Sequence, residues 1–177
     1  MPSKGDATWI VSELARRGHT LATAESLTGG LVAAHIVDVP GASKVFVGGV
    51  VSYHSDVKAH LLGVDQMELD TLGAVSEGVA IQMATGARGA LLPRREVTWA
   101  ISTTGVAGPE ADPVGNQPPG LVIVAVCGPE GFVAVEKLGF VGEARNQIRH
   151  LSADYALGLL ERVLRGEEPG MTGSPQA

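Results

Sequence analysis

Ser26 stands in a segment whose residue types suit acyl transfer: Ala24-Glu25-Ser26-Leu27-Thr28-Gly29-Gly30. A short strand ends, a serine follows, and a helix opens on two glycines. Helix N-termini leave backbone N–H groups without partners, and the helix dipole favours negative charge there. Glycines let a ligand approach the main chain closely. Ser26 is therefore a candidate nucleophile, with the N–H groups of Thr28, Gly29 and Gly30 as a candidate oxyanion hole. The plainer alternative makes Ser26 or Thr28 an N-cap and the glycines a turn.

A serine hydroxyl needs a base to become a nucleophile. Ser52-Tyr53-His54-Ser55-Asp56-Val57-Lys58 offers one. If Ser55 or Asp56 caps a helix, Lys58 falls in its first turn, where the dipole opposes a cation. Burial there would favour the neutral amine, which is a general base. The Tyr53 hydroxyl would relay or orient the proton. The plainer alternative is a solvated surface lysine.

Thr103-Thr104-Gly105-Val106-Ala107-Gly108-Pro109 follows another strand, and its small residues would let a planar or phosphorylated ligand touch the main chain. A tight surface loop is the competing reading. Arg145 and Arg149 are four apart on the last helix and share a face, as phosphate ligands or as solvated charges. No S-x-x-K signature starts at Ser26, since the position three residues on is Gly29, and the G-x-S-x-G, P-loop and H-E-x-x-H signatures are absent. Five scattered histidines, at 19, 35, 54, 60 and 150, and a single cysteine, Cys127, give no metal-ligand spacing. Cys127 ends an apolar strand and reads as core.

The elements that must position these groups alternate. Helices are predicted at Ala7–Arg17, Leu31–Val37, Ser55–Leu62, Ser76–Leu92 and Glu143–Arg165, the last with an apolar stripe of Ile148, Leu151, Tyr155, Leu159 and Val163. Gly18 and Gly63 are predicted stops. Strands are predicted at Thr20–Ala24, Val45–Tyr53, Val97–Thr103, Leu121–Cys127 and Phe132–Leu138. The last two form a hairpin across Gly128–Gly131. Gly48 and Gly49 suggest a bulge or a close backbone approach. The expected fold is an α/β, three-layer α/β/α sandwich with a mixed β-sheet. Ligands in such sheets sit beyond strand ends, at residues 24–30 and 104–120.

Length and composition agree. The 177 residues suit one domain, expected at 1–165, with a disordered tail at 166–177. Hydrophobic residues are 45% and charged residues 18%, which excludes a mostly disordered chain. The net charge of −6 argues against nucleic acid as a main partner. No run of apolar residues suffices to span a membrane, and no signal peptide follows Lys4, so the expected location is cytoplasmic.

Six segments in series resemble the CinA C-terminal domain family, whose enzymatic members are nicotinamide-nucleotide amidases. They are TAESLTGG (Thr23 to Gly30), PGAS (Pro40 to Ser43), GGVVSYHSDVKAHLLGV (Gly48 to Val64), GAVSE (Gly73 to Glu77), TTGVAGP (Thr103 to Pro109) and PPGLVIVAV (Pro118 to Val126). The resemblance implies a three-layer α/β/α sandwich. It implies hydrolysis of nicotinamide mononucleotide to nicotinate mononucleotide and ammonia, with Ser26 as nucleophile and Tyr53 and Lys58 as its partners. Thr28, Gly29 and Gly30 would hold the oxyanion, and Thr104, Gly105, Ala107, Gly108 and Arg145 would shape the nucleotide site. No metal and no cofactor are implied, since NAD only resembles the substrate. A homodimer is expected. Two stretches depart from the family. Its glycine-rich loop reads here Glu110-Ala111-Asp112-Pro113-Val114-Gly115-Asn116-Gln117, and its G-D-R-x-x-V-R reads Gly142-Glu143-Ala144-Arg145-Asn146-Gln147-Ile148-Arg149 with one residue more. The N-terminal domain of many members is expected to be missing, leaving a stand-alone domain. The rival readings are a non-catalytic nucleotide- or partner-binding domain and a Ser-Lys amidase for another nucleotide amide.

Overall fold

The structure, a computed structural model, describes residues 3–92 and 97–167. The first helix, α1 (Ala7–Arg17), starts where the Asp6 carboxylate accepts the N–H groups of Thr8 and Trp9. It ends on Gly18 in the left-handed conformation, as predicted. Strand β1 (Leu21–Glu25) leads through the Ser26 turn into α2 (Leu31–Val37). After β2 (Phe46–Val51) come α3 (Ser55–Leu62), α4 (Gln66–Leu72) and α5 (Glu77–Ala90). Strand β3 (Trp99–Gly105), the long loop, β4 (Leu121–Cys127), β5 (Val133–Gly139) and α6 (Arg145–Arg165) complete the chain. The expected tail lies outside the described residues from 168 onward.

The five strands form one mixed sheet in the order β2-β1-β3-β4-β5. Strand β1 pairs parallel with β2 and β3, while β3–β4 and β4–β5 are antiparallel. Alternate side chains divide between two apolar layers, as a strand period of two requires. Leu21, Ile101, Val122, Val124 and Val126 pack with α1, α2 and α6. Ala22, Ala24, Ala100 and Cys127 pack with α3, α4 and α5. The expected three-layer sandwich is therefore present. No described helix is long and apolar enough to cross a membrane.

Three differences from the sequence reading have local causes. Strand β3 begins two residues later than predicted, because Val97 N–H bonds to Arg88 O and Thr98 exchanges hydrogen bonds with Thr20 before pairing starts at Trp99. Helix α4 was not predicted. It has seven mostly polar residues, buries Leu69, and is capped by Asp65. Helix α3 is capped not by Ser55 or Asp56 but by His54, whose Nδ1 accepts Asp56 N–H at 3.3 Å. The predicted irregularity at Gly48–Gly49 is present. The β1–β2 register shifts there, and a Cβ on Gly49 would lie 2.1 Å from Thr23 Oγ1.

Candidate active site

The carboxyl ends of β1, β2 and β3 converge on a cavity of about 470 Å³. Ligands in open α/β sheets bind at this end. The cavity is lined by Ser26, Tyr53, Lys58, Thr104, Gly105, Ala107, Gly108, Asp112 and Arg145, among others. Residues drawn from four separate predicted segments thus share one space.

The turn after β1 is fixed from two sides. Ser26 N–H donates to Thr103 O at 3.0 Å, tying the serine to β3. The Glu25 side chain, buried, turns toward the start of α2. Its Oε2 accepts the N–H groups of Gly30 and Val32 at 2.9 and 3.1 Å, and its Oε1 accepts Ala33 N–H at 2.8 Å. Thr28 Oγ1 donates to Glu25 Oε2 at 2.7 Å and lies 2.7 Å from Thr103 Oγ1. From α6, Arg149 donates to Leu27 O at 2.9 Å and to Thr28 O at 3.0 Å. Gly29 and Gly30 adopt φ of 62° and 100°, which two consecutive side-chain-bearing residues would resist.

This arrangement corrects two expectations. Neither Ser26 nor Thr28 is the N-cap of α2, because the cap position is Gly30 and the carboxylate of Glu25 satisfies the helix start. The N–H groups of Gly29 and Gly30 are not free for an oxyanion, since Gly29 donates to Ser26 O at 3.1 Å and Gly30 to Glu25. The turn's N–H groups that make no hydrogen bond among the described residues are those of Leu27 and Thr28.

Lys58 is fully buried, at 1% exposure, and Ser26 is 7% exposed. The two side chains meet, with Lys58 Nζ 3.0 Å from Ser26 Oγ. The amine also donates to Ser52 O at 2.6 Å and to Tyr53 O at 3.3 Å. A neutral amine has two hydrogens and one lone pair. With both hydrogens on carbonyls, the lone pair is left for the serine hydroxyl. Burial brings the lysine pKa down from 10.5 to about 8, and the charge of Asp112 opposes that shift. The sequence reading assigned part of the depression to the helix N-terminus. Lys58 sits fourth in α3, at the end of its first turn, and burial is the largest cause of the shift.

Tyr53 and Arg145 lie farther out. Tyr53 is 62% exposed, and its hydroxyl accepts from Arg145 Nη2 at 3.1 Å. It is the carbonyl of Tyr53, not its hydroxyl, that touches Lys58. The expected proton relay through the phenol therefore has no counterpart in the geometry. Arg145 also donates to Gly108 O at 2.5 Å, which brings α6 against the 106–109 wall. Thr104 contributes a wall, with its hydroxyl donating to Ala74 O at 2.5 Å. Gly105 permits the close approach of β4, since a Cβ there would lie 2.6 Å from Leu121 O.

Arg145 and Arg149 thus divide the work that their spacing left open: Arg145 faces the cavity and Arg149 braces the turn. Glu25 and Arg149 were not singled out for these roles. The available signal for Glu25 was a carboxylate at a strand end, a few residues ahead of a helix that lacks a Ser, Thr, Asp or Asn cap. Among the described residues no group of three or more His, Cys, Asp or Glu could hold a metal ion.

Comparison with known proteins gives a consistent result. The family model for the CinA C-terminal domain matches residues 5–164. A CinA-like protein of Trichormus variabilis is 48% identical over 158 residues, which cover 88% of this chain and 36% of the relative. A CinA-like protein of Frankia casuarinae is 43% identical over 157 residues, 89% of this chain and 34% of the relative. The chain spans about a third of the length of the curated relatives it matches. The crystal structure of competence/damage inducible protein CihA from Agrobacterium tumefaciens superposes with a TM-score of 0.81 at 35% identity, covering 90% of this chain and 93% of that one. A CinA superfamily protein from Escherichia coli gives a TM-score of 0.81 at 30% identity, covering 89% and 87%.

Proposed function

The chain belongs to the CinA C-terminal domain family, and from that premise we propose that its cavity is the active site of a nicotinamide-nucleotide amidase. The reaction is hydrolysis of the carboxamide of nicotinamide mononucleotide to nicotinate mononucleotide and ammonia. One observation carries the reading: a buried lysine amine 3.0 Å from a buried serine hydroxyl, with its other contacts on carbonyl oxygens. A lysine whose role was only to bind charge would gain from solvent or a carboxylate partner rather than from burial against a hydroxyl.

Ser26 Oγ attacks the carboxamide carbon as Lys58 takes its proton. The carbonyl oxygen becomes an oxyanion, held by the N–H groups of Leu27 and Thr28 rather than by those of Gly29 and Gly30. Arg149 and Glu25 hold the turn that presents these donors. Lys58 then returns the proton to the leaving nitrogen, and ammonia departs from an acyl-serine ester. Water attacks the ester as Lys58 accepts a proton from it, and collapse of the second tetrahedral species releases the acid as Lys58 returns that proton to Ser26 Oγ, which restores both residues. Arg145 receives the phosphate, in exchange for its bonds to Tyr53 and Gly108, and Thr104, Gly105, Ala107 and Gly108 wall the ring.

The experiment is ammonia release from purified protein with nicotinamide mononucleotide, against nicotinamide and NAD as controls. The reading predicts release from the mononucleotide far above both controls. No release from any of the three would return the domain to a binding role.

A further inference from the structure

The cavity contains an acid that the Ser-Lys chemistry does not use. Asp112 lines the same space as Ser26, Lys58 and Arg145, on the long loop between β3 and β4. It is held in place. Oδ2 accepts Gly115 N–H at 2.5 Å, the Asp112 N–H donates to Gln117 O at 2.9 Å, and its carbonyl accepts Asn116 N–H at 3.0 Å. The bare backbone of Gly73 leaves room for it, since a Cβ there would lie 2.3 Å from Oδ2. The other carboxylate oxygen makes no hydrogen bond among the described residues.

By itself this acid works against the base, because a nearby anion favours the protonated form of Lys58. The conflict disappears if the ligand brings a positive charge of its own. A cationic ring beside Asp112 cancels the anion and removes its hold on the lysine proton. The carboxylate formed by hydrolysis is then repelled by the same acid, which favours release.

We propose that Asp112 is a specificity-determining residue that selects a carboxamide borne on a cationic heteroaromatic ring over the same amide on a neutral ring. This rests on reading the cavity as an amide site. Glu110 lines the same cavity, but it is exposed and adds less.

The test compares nicotinamide mononucleotide with its dihydro form, which shares the ribose phosphate and the carboxamide but has a neutral ring. Dissociation constants are measured on Ser26→Ala protein, where turnover does not intervene. The oxidised form is expected to bind roughly tenfold tighter, the scale of one partly buried charge contact. Adding Asp112→Asn, whose amide oxygen still accepts Gly115 N–H, should bring the ratio within about twofold by weakening the oxidised form alone. Asp112→Glu, which keeps the charge, should preserve most of the preference. An unchanged ratio in Asp112→Asn, or equal weakening of both nucleotides, overturns the proposal. Ammonia release by the wild type is scored separately. Turnover with an unchanged ratio removes only the role of Asp112. A ratio that collapses in a protein without turnover keeps that role and removes the amidase.

Discussion

The inner and outer ends of the cavity are built by different means. At the inner end Ser26, Lys58, Thr28 and Glu25 are all buried, and their partners are mostly main-chain atoms or one another. At the outer end Tyr53, Glu110 and Arg145 are exposed, and the contacts join side chains from separate elements or brace a loop on itself. A buried pair keeps its geometry, and its proton affinity is set by desolvation. Exposed charges are screened and adjustable, which suits recognition. On the proposed reading, chemistry and selection are separated along the depth of one cavity. Substitutions inside should act on kcat, and substitutions at the mouth on KM.

The largest effect is expected from Ser26→Ala, which should abolish ammonia release and leave the fold within about 1 kcal/mol in a denaturant titration. Turnover above a trace would remove the nucleophile from the inner end. Lys58→Arg comes next. Arginine keeps its charge and cannot act as a base, so kcat should fall by about a thousandfold or more. Lys58→Met should be as inactive, yet fold at least as well.

Lys58 also gives a stability signature with a definite sign. Its folded pKa, about 8, lies below the ordinary 10.5. Between those values the unfolded chain binds more protons than the folded one, so this group makes stability rise with pH across that window. Below about pH 8 the fold carries the full penalty of a buried ammonium. Thermal melts of wild type and Lys58→Met between pH 7 and 10 should converge as pH rises.

A smaller effect separates the turn from the reacting pair. Glu25→Gln removes the charge and one acceptor from the start of α2, leaving N–H groups unsatisfied, so stability should drop by roughly 1–3 kcal/mol. Activity should fall about tenfold, because the Leu27 and Thr28 donors lose their brace. Full activity at normal stability would mean that Arg149 alone holds the turn. The smallest effect on kcat is expected from Tyr53→Phe, within about threefold, with KM raised through Arg145. A hundredfold loss of kcat would return the phenol to the proton path and erase the division between the two ends.

The layers and most element boundaries were legible because apolar periodicity reports burial directly: Leu121–Cys127 reads as a strand buried on both faces, and it is one. Helix α4 was not legible, since it has only seven residues, four of them polar, and buries Leu69 alone, so no apolar stripe forms. The members of the site were found in TAESLTGG, SYHSDVK and TTGVAGP, but their roles were not always. A sequence names side chains and cannot say that the carbonyl of Tyr53, rather than its hydroxyl, meets Lys58. Nor does it show that Glu25 occupies the donors of the α2 terminus, which depends on a side-chain direction set by the fold.

The central claim is that Lys58 is a neutral base held against Ser26, and titration of Lys58 itself tests it most directly. With 13Cε-labelled lysine, assigned through Lys58→Met, its chemical shift can be followed from pH 6 to 11. The account predicts a midpoint near 8, matched by a single ionisation in kcat/KM on which activity rises with pH. A midpoint in the ordinary lysine range, with activity rising at some other pH, would contradict it.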